Sequence, residues 1–380
     1  MLFPAVIVAP DSFKGSLTAA QAAGSIARGI YKVFPGAKVV EIPLSDGGEG
    51  LVDCLIGGTE GQLFEYQVTG PLGNKVTAKF GILGDGQTGI IEMAEASGLT
   101  LVPRDQRNPM KATSFGTGEL IRATLDQGCR RLIVGIGGSA TNDGGAGMAQ
   151  ALGVGLFDKE GREISLGAEG LLKLDAIDMS FLDPRIAETE ILVACDVTNP
   201  LVGPTGAAYV YGPQKGADEA MLPVLDQALH NLAAVICRDL NIRVENESGA
   251  GAAGGMGAGL MAFMGGELRS GLEIVLEMLS FEERLVAGVD LIITGEGQIN
   301  GQSLYGKVPV GVARLAKKYD IPVLAMVGSI GSEVDKIYET GIDSIMTIVP
   351  GPIPLAQAIE RAPEYLEDAT ARAMRLLNLM

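Results

Sequence analysis

Histidine is almost absent from this chain. One residue, His230, is all that 380 positions carry, which removes Ser-His-Asp catalysis from the candidate chemistries. His230 lies in residues 220–240, where Leu222, Leu225, Leu229, Leu232, Val235 and Ile236 recur at helical spacing, so a place on a helix surface is expected. Cysteine is scarce too. Cys54, Cys129, Cys195 and Cys237 are widely separated, with no CxxC pair and no nearby histidine cluster, which excludes a zinc framework. They read as small core residues in a reducing cytosol. Positive charge is the third shortage: 29 basic against 46 acidic residues leave a net charge of -17. That balance disfavours nucleic acid and anionic membranes as partners, and an anionic ligand needs local islands of positive charge. The apolar run at residues 5–9 has no basic flank and is too short for a signal peptide or a membrane span. A cytoplasmic protein is expected, with homo-oligomerisation left open.

What is plentiful is glycine, with 54 residues. Residues 135–147 read GIGGSATNDGGAG behind the apolar strand pattern of residues 131–134, a stretch too poor in bulk for a core. Gly135, Gly137 and Ala140 have the spacing of a dinucleotide-binding turn, and Asp158 follows at about the distance that fingerprint needs. A helix must open inside such glycines, however, and residues 141–145 (TNDGG) delay any helix to about Gly147. A second GxGxxG, at Gly249, Gly251 and Gly254, arises readily by chance in GAGAAGGMGAG.

The length allows two domains, three at most. Residues 1–62 read as strand (5–9), helix, strand (37–44) and loop; Thr18 and Gln21 have capping-box spacing, and Ala22, Ile26, Ile30 and Val33 form the helix stripe. The same grammar returns from Gly271: a helix to about residue 287, strands at 290–294, 322–327 and 344–349, helices at 310–318 and 333–339, and a long closing helix over 355–377. Residues 64–68, 75–82 and 88–93 instead form an antiparallel meander. The expected fold is α/β, a doubly wound parallel-sheet domain (1–62 plus 268–380) interrupted by a second α/β domain (63–267).

Ligands of open parallel sheets bind beyond the carboxyl ends of the strands. The loops expected there are 10–16, 45–50, 295–309 and 328–332. PDSFKGS sets Asp11, Ser12, Lys14 and Ser16 before a helix N-terminus, either an anion site or a solvated cap. SDGGEG offers Asp46 and Glu49, as a turn or as holders of hydroxyls or a metal. In TGEGQINGQSLYGKVP, residues 301–307 spell GxxxxGK, but position 308 is valine where a P-loop needs Ser or Thr; Lys307 still suits a phosphate, and Glu296 a cation. Asp196, Asn199, Lys215, Thr113, Ser114 and Thr117 add polar groups in the insert. Carboxylates for Mg²⁺ and lysines for phosphates, without histidine, suit phosphoryl transfer by positioning and electrostatics.

Eight motifs in order, APDSFKGSL, DGGEG, SFGTGELI, GIGGSATNDGG, ACDVTNPL, YGPQKGA, GAGAAGGMGAGL and ITGEG…GKVPVGVA, make the chain similar to bacterial glycerate kinases, the family that includes the glycerate 2-kinases of glucarate and glyoxylate catabolism. The resemblance implies ATP- and Mg²⁺-dependent phosphorylation of (R)-glycerate to 2-phosphoglycerate, and a flavodoxin-like domain interrupted by an α/β insert with the active site between them. Gln298 and Asn300 replace the Arg and Asp of the family's GEGRID, and Ser45 and Leu51 depart from its usual residues around DGGEG. On this reading Lys14 neutralises the substrate carboxylate or the moving phosphoryl group, and Asp46 or Asp143 orients the attacking hydroxyl. Ser12, Glu49, Ser139, Thr141, Asn142 and Asn199 bind substrate. Lys215, Gly295, Gly297 and Lys307 bind ATP, and Asp196 and Glu296 hold magnesium. The alternatives are the 3-phosphoglycerate isomer, another small hydroxy acid as substrate, an NAD(P)-dependent dehydrogenase, and a non-catalytic hydroxy-acid sensor.

Overall fold

The computed structural model describes residues 4–48, 50–304 and 306–378. Its chain divides into two compact units, Met1–Asp46, Asp53–Gly58 and Leu272–Met380 in the first, Gly47–Val52 and Thr59–Gly271 in the second.

In the first unit the opening apolar run becomes the strand Ala5–Pro10, with Val6, Ile7, Val8 and Ala9 all buried. Burial of both faces is what a parallel sheet covered by helices on each side requires. The sheet runs Ser344–Thr347, Val323–Ile330, Leu291–Ile299, Ala5–Pro10, Lys38–Glu41, every neighbouring pair parallel. Numbered along the chain, that is the flavodoxin-like order 2-1-3-4-5, whose order reverses between Ala5–Pro10 and Leu291–Ile299. The capping box forms: Gln21 N–H donates to Thr18 Oγ1 at 3.2 Å and Thr18 N–H to Gln21 Oε1 at 3.0 Å, opening the helix Ala19–Tyr31. Gly29 brings this helix against Ala362–Leu377, since a Cβ there would lie 2.5 Å from the Glu367 carbonyl oxygen.

Three expectations are corrected here. The closing helix is two, Leu355–Glu360 and Ala362–Leu377, because Pro363 opens the second; proline has no N–H and crowds the preceding turn. The helix from Gly271 likewise stops at Met278 and restarts as Phe281–Val286 after Ser280, which has φ of 47°. The glycine-bearing segment TGEGQI is strand rather than loop, since residues up to Ile299 pair with a partner strand that extends to Ile330. Inter-strand hydrogen bonds override weak local propensity at this point.

The second unit holds a six-stranded sheet in the order Glu267–Arg269, Glu190–Ala194, Arg131–Gly135, Thr88–Glu92, Lys75–Ile82, Gln62–Thr69. The first four are parallel, and the last three form the antiparallel meander that alternation predicts. Leu225, Leu229, Leu232 and Ile236 of the helix Met221–Leu240 are buried, while His230 is on the surface with Nδ1 3.0 Å from Glu245. Cys54 and Cys129 are buried as expected, but Cys237, one step past the buried stripe, is exposed. Among the described residues no helix is long and apolar enough to cross a membrane.

Candidate active site

The strand Ala5–Pro10 stops pairing at Gly295, while its neighbour runs on paired only with Val323–Ile330, so Glu296 overhangs the end of the first strand at the point where strand order reverses. The next loop folds back against this overhang. Asp11 N–H donates to the Gly295 carbonyl at 2.9 Å, a Phe13–Leu17 turn leaves Lys14 exposed, and a Cβ on Gly297 would lie 3.5 Å from the Lys14 backbone nitrogen. Glycine at 295 is obligatory, because a Cβ would sit 2.3 Å from the Met326 carbonyl oxygen.

Glu296 is 3% exposed. Its Oε1 accepts from Ser303 Oγ at 2.7 Å, and its Oε2 is 3.5 Å from Lys307 Nζ, at the N-terminus of the helix Val308–Lys317. Burial raises its pKa against these two partners, and Asp46 adds to the rise. Asp11 is also buried, and its pKa is pushed up to about 7, first by desolvation and then by Asp46; Ser12 N–H, 2.6 Å from Oδ1, and Lys14 pull the other way. The first unit therefore brings together Ser12, Lys14, Asp46, Gly295, Glu296, Gly297 and Lys307. It adds Asp11 as a strongly perturbed group and Ser303 as the partner of Glu296. The spacing of the motifs carries no signal for Ser303, whose role depends on the strand extending to Ile299. Glu49 lies outside the described residues.

The second unit gives the residues of GIGGSATNDGGAG different tasks. Asp143 has no solvent exposure. Its Oδ2 accepts from Ser114 N–H and Ser114 Oγ, both at 2.8 Å, and from Gly147 N–H at 3.4 Å, while Oδ1 accepts from Gly145 N–H at 3.3 Å. Burial raises its pKa and these donors oppose the rise. A carboxylate so enclosed holds its own loop in shape rather than orienting a substrate hydroxyl. Lys215 is 2% exposed, with Nζ donating to Ser139 Oγ and to the Thr141 carbonyl at 2.7 Å each. Desolvation pushes its pKa down to about 7, against the charge of Asp143. Its ammonium is spent inside the protein, so in this structure it braces the loop instead of steadying ATP phosphates.

Thr141 and Asn142 are fully buried, and neither Thr141 Oγ1 nor the two amide atoms of Asn142 have a hydrogen-bond partner among the described residues. The second glycine motif packs directly on them. Ala253, Gly254 and Gly255 are left-handed, the Gly254 carbonyl accepts from Gly144 N–H at 3.0 Å, and a Cβ on Gly254 would lie 2.0 Å from the Thr141 carbonyl oxygen. The dinucleotide reading fails on the same residues: the helix starts only at Ala146, and Asp158 spends its carboxylate on Arg162 at 3.0 Å.

Two further expected residues have local partners. Asp196, in the second unit, takes Gly271 N–H at 3.1 Å and Ser270 Oγ at 3.2 Å. Asn199 donates to the Thr205 carbonyl at 2.8 Å and accepts from Tyr211 Oη at 2.6 Å, so its amide closes its own loop. Asp196 and Glu296 belong to different units, each with its own bonding partners.

Comparison with known proteins shows which family the chain belongs to. The model of the glycerate kinase family matches residues 6–378. The chain belongs to the glycerate kinase family. It is 53% identical to a glycerate kinase of Bacillus subtilis over 97% of this chain and 96% of that one. It is 53% identical to a glycerate 2-kinase of Escherichia coli over 90% of each chain. The crystal structure of a putative glycerate kinase 2 from Salmonella typhimurium superposes with a TM-score of 0.91 at 47% identity, covering 99% of both chains.

The protein is therefore an ATP-dependent kinase, a phosphotransferase with an alcohol acceptor. The scarcity of histidine fits this chemistry, which needs positioned charge more than a shuttling imidazole. Asn300, at the departure from GEGRID, accepts from Gln302 N–H at 2.9 Å, a turn-capping contact that asparagine and aspartate make equally well.

Proposed function

We propose that the protein transfers the γ-phosphoryl group of ATP to the 2-hydroxyl of (R)-glycerate, giving 2-phosphoglycerate in the cytoplasmic catabolism of organic acids. The observation that carries the regiochemistry is the 53% identity, over nine-tenths of each chain, to the protein named glycerate 2-kinase. The first unit supports the transfer chemistry, because its sheet reversal carries two lysines and three carboxylates.

In this reading Lys14, exposed beside the overhang, neutralises charge on the moving phosphoryl group. Lys307, at a helix N-terminus where the dipole favours anions, steadies the ATP phosphates. Asp46 orients the attacking hydroxyl. The donor set fits Mg²⁺: Asp11, Asp46 and Glu296 are hard oxygen ligands whose mutual repulsion a cation relieves. No three metal-ligating side chains form a ready cage among the described residues, and Mg²⁺ takes one or two carboxylates with substrate phosphates for the rest. Glu296 would hold it, and when bound it supplies charge neutralisation at phosphate oxygens. Asp143 and Lys215 keep the second unit's glycine loop in shape, with Ser139 and Thr141 fixed through Lys215.

The test is to incubate the protein with (R)-glycerate, ATP and Mg²⁺ and to add enolase alone. Direct conversion of the product establishes the 2-isomer; dependence on added phosphoglycerate mutase establishes the 3-isomer and overturns the regiochemistry.

A further inference from the structure

Cations are scarce in this chain, yet four of them surround one cavity. It measures about 840 Å³ and lies within the first unit, lined by Arg314, Lys317, Lys318 and Lys336, with Glu339 as the one carboxylate among its described lining residues. In a chain with 46 acidic against 29 basic residues, a chance grouping would have the opposite balance. Arg314 has Lys317 and Lys318 at i+3 and i+4 along the helix Val308–Lys317 and its C-cap, so all three share a face, with about 5–6 Å between the Cβ atom of Arg314 and those of the lysines. Lys336 joins them from the short helix Asp335–Tyr338.

These charges are not consumed locally. Arg314 Nη2 donates to the Leu304 carbonyl at 3.3 Å and Lys317 Nζ to the Glu339 carbonyl at 3.2 Å, both neutral acceptors. Lys336 has an exposed pair with Glu333 at 3.2 Å, of the kind that contributes little. Lys318 has no hydrogen bond or ion pair among the described residues. The wall is firm, because a Cβ on left-handed Gly341 would lie 2.9 Å from the Ala313 carbonyl oxygen and 3.2 Å from Lys317 Cβ, which holds the turn after Glu339 against the helix. A cleft lined mainly by one sign of charge focuses its field and gathers counter-ions.

The lining also selects the ligand. Lysine ammoniums are point charges that suit phosphate, and a guanidinium fork suits carboxylate or phosphate. Cations spread along a helix face and onto a second helix suit a small molecule with two separate anionic groups. A phosphorylated hydroxy acid, the kind of product that a glycerate kinase releases, has that form. The cavity is also connected to the catalytic end of the unit. Leu304 follows Ser303, whose Oγ holds Glu296 Oε1 at 2.7 Å, and Lys307 caps the helix that carries Arg314. An anion that draws the guanidinium off the Leu304 carbonyl loosens the turn that positions Glu296.

We propose that this cavity is a second, regulatory anion site, which binds a phosphorylated hydroxy acid and slows the kinase through Arg314 and Leu304. It uses none of the residues placed at the phosphoryl transfer, and it does not depend on which hydroxyl the enzyme phosphorylates.

The probe is 2-phosphoglycerate, titrated calorimetrically into the protein saturated with (R)-glycerate and a non-hydrolysable ATP analogue, so that the active site is filled. One equivalent should still bind. The double variant Lys317→Gln/Lys318→Gln, altered only at exposed side chains, should weaken that binding at least about 10-fold, the size of losing one charge-assisted hydrogen bond. In turnover at saturating ATP and glycerate, 2-phosphoglycerate should lower kcat of the parent about fivefold or more, the low end of ordinary coupling between two sites, and leave the double variant unaffected. Inorganic phosphate and glycerol 2-phosphate should bind more weakly, and equal affinity for either overturns the assignment to a hydroxy-acid phosphate. Absence of residual binding, parent-like binding by the variant, or an unchanged kcat with the site filled each overturns the proposal. A raised ATP KM in the variant places the nucleotide's phosphates in the cavity and overturns it too.

Discussion

Ser114 gives its backbone N–H and its hydroxyl to one oxygen of Asp143, each at 2.8 Å. The same hydroxyl accepts from Met148 N–H at 3.0 Å, so one serine links the start of one helix, the glycine loop and the start of the next. A buried carboxylate that satisfies several donors cannot be removed cheaply.

Asp143→Asn replaces an acceptor by an amide that must turn its own N–H2 toward donors. We expect a loss of about 2–4 kcal/mol of stability, read as a lower urea midpoint with unchanged slope. Parent-like stability would show that Asp143 does not hold the loop.

Lys215 gives the protein a particular pH dependence. Unfolded, it titrates near 10.5; folded, burial brings it to about 7. Between these values the unfolded state binds the extra proton, so the penalty of burying the ammonium is full below pH 7 and is relieved as pH rises toward 10.5. The contribution to the slope is up to about 1.4 kcal/mol per pH unit. Lys215→Met should flatten that part of the stability–pH curve, and a curve superposable on the parent's would contradict the buried, depressed lysine.

Asp11 works in the opposite sense. It ionises near 3.8 unfolded and at about 7 folded, so the folded state holds the extra proton and stability declines as pH rises through this window. Asp11→Asn should therefore raise stability at pH 8 by about 1–3 kcal/mol, while lowering kcat/KM. Mg²⁺ should stabilise the parent more than this variant, and equal thermal shifts would remove Asp11 from the acidic cluster.

Lys14→Met removes a full charge from the overhang and should cost about 2–4 kcal/mol in kcat/KM for glycerate phosphorylation. The fold should be untouched, because the side chain is exposed. Unchanged kinetics would take Lys14 out of the mechanism.

Gly254→Ala adds a methyl 2.0 Å from the Thr141 carbonyl oxygen at a residue with φ of 75°. Both the left-handed backbone and the contact oppose it, and we expect a loss of at least about 2 kcal/mol of stability. Full retention of the parent's melting temperature would mean that the turn relaxes freely.

Local rules make several elements readable from the sequence. Thr18 and Gln21 announce the helix they cap because both bonds of the box lie within one turn. The buried stripe of residues 221–240 and the outward place of His230 follow from a period of 3.6. The alternation of residues 75–82 shows as a meander because period two needs no distant partner. Pro363 is equally local, yet its break is hidden in an otherwise continuous helical pattern.

Other features depend on what the chain meets. Glycine-rich TGEGQI becomes a strand because residues 323–330 lie beside it and supply hydrogen bonds. Residues 47–52 group with the second unit while residues 53–58 return to the first, a crossing that no periodicity marks.

The sequence by itself determined the class of chemistry: one histidine and an acidic excess, with lysines and carboxylates gathered on glycine-rich loops behind strands, in a motif order that belongs to one family. Residue type and short-range spacing carry that information. Only the tertiary structure decided which of these polar groups are spent inside. Lys14 and Lys215 look alike in the sequence, but one is left in solvent by a five-residue turn and the other is buried by segments more than seventy residues away. Burial is a property of the packed chain, and it sets both the charge a group carries and what that group can touch.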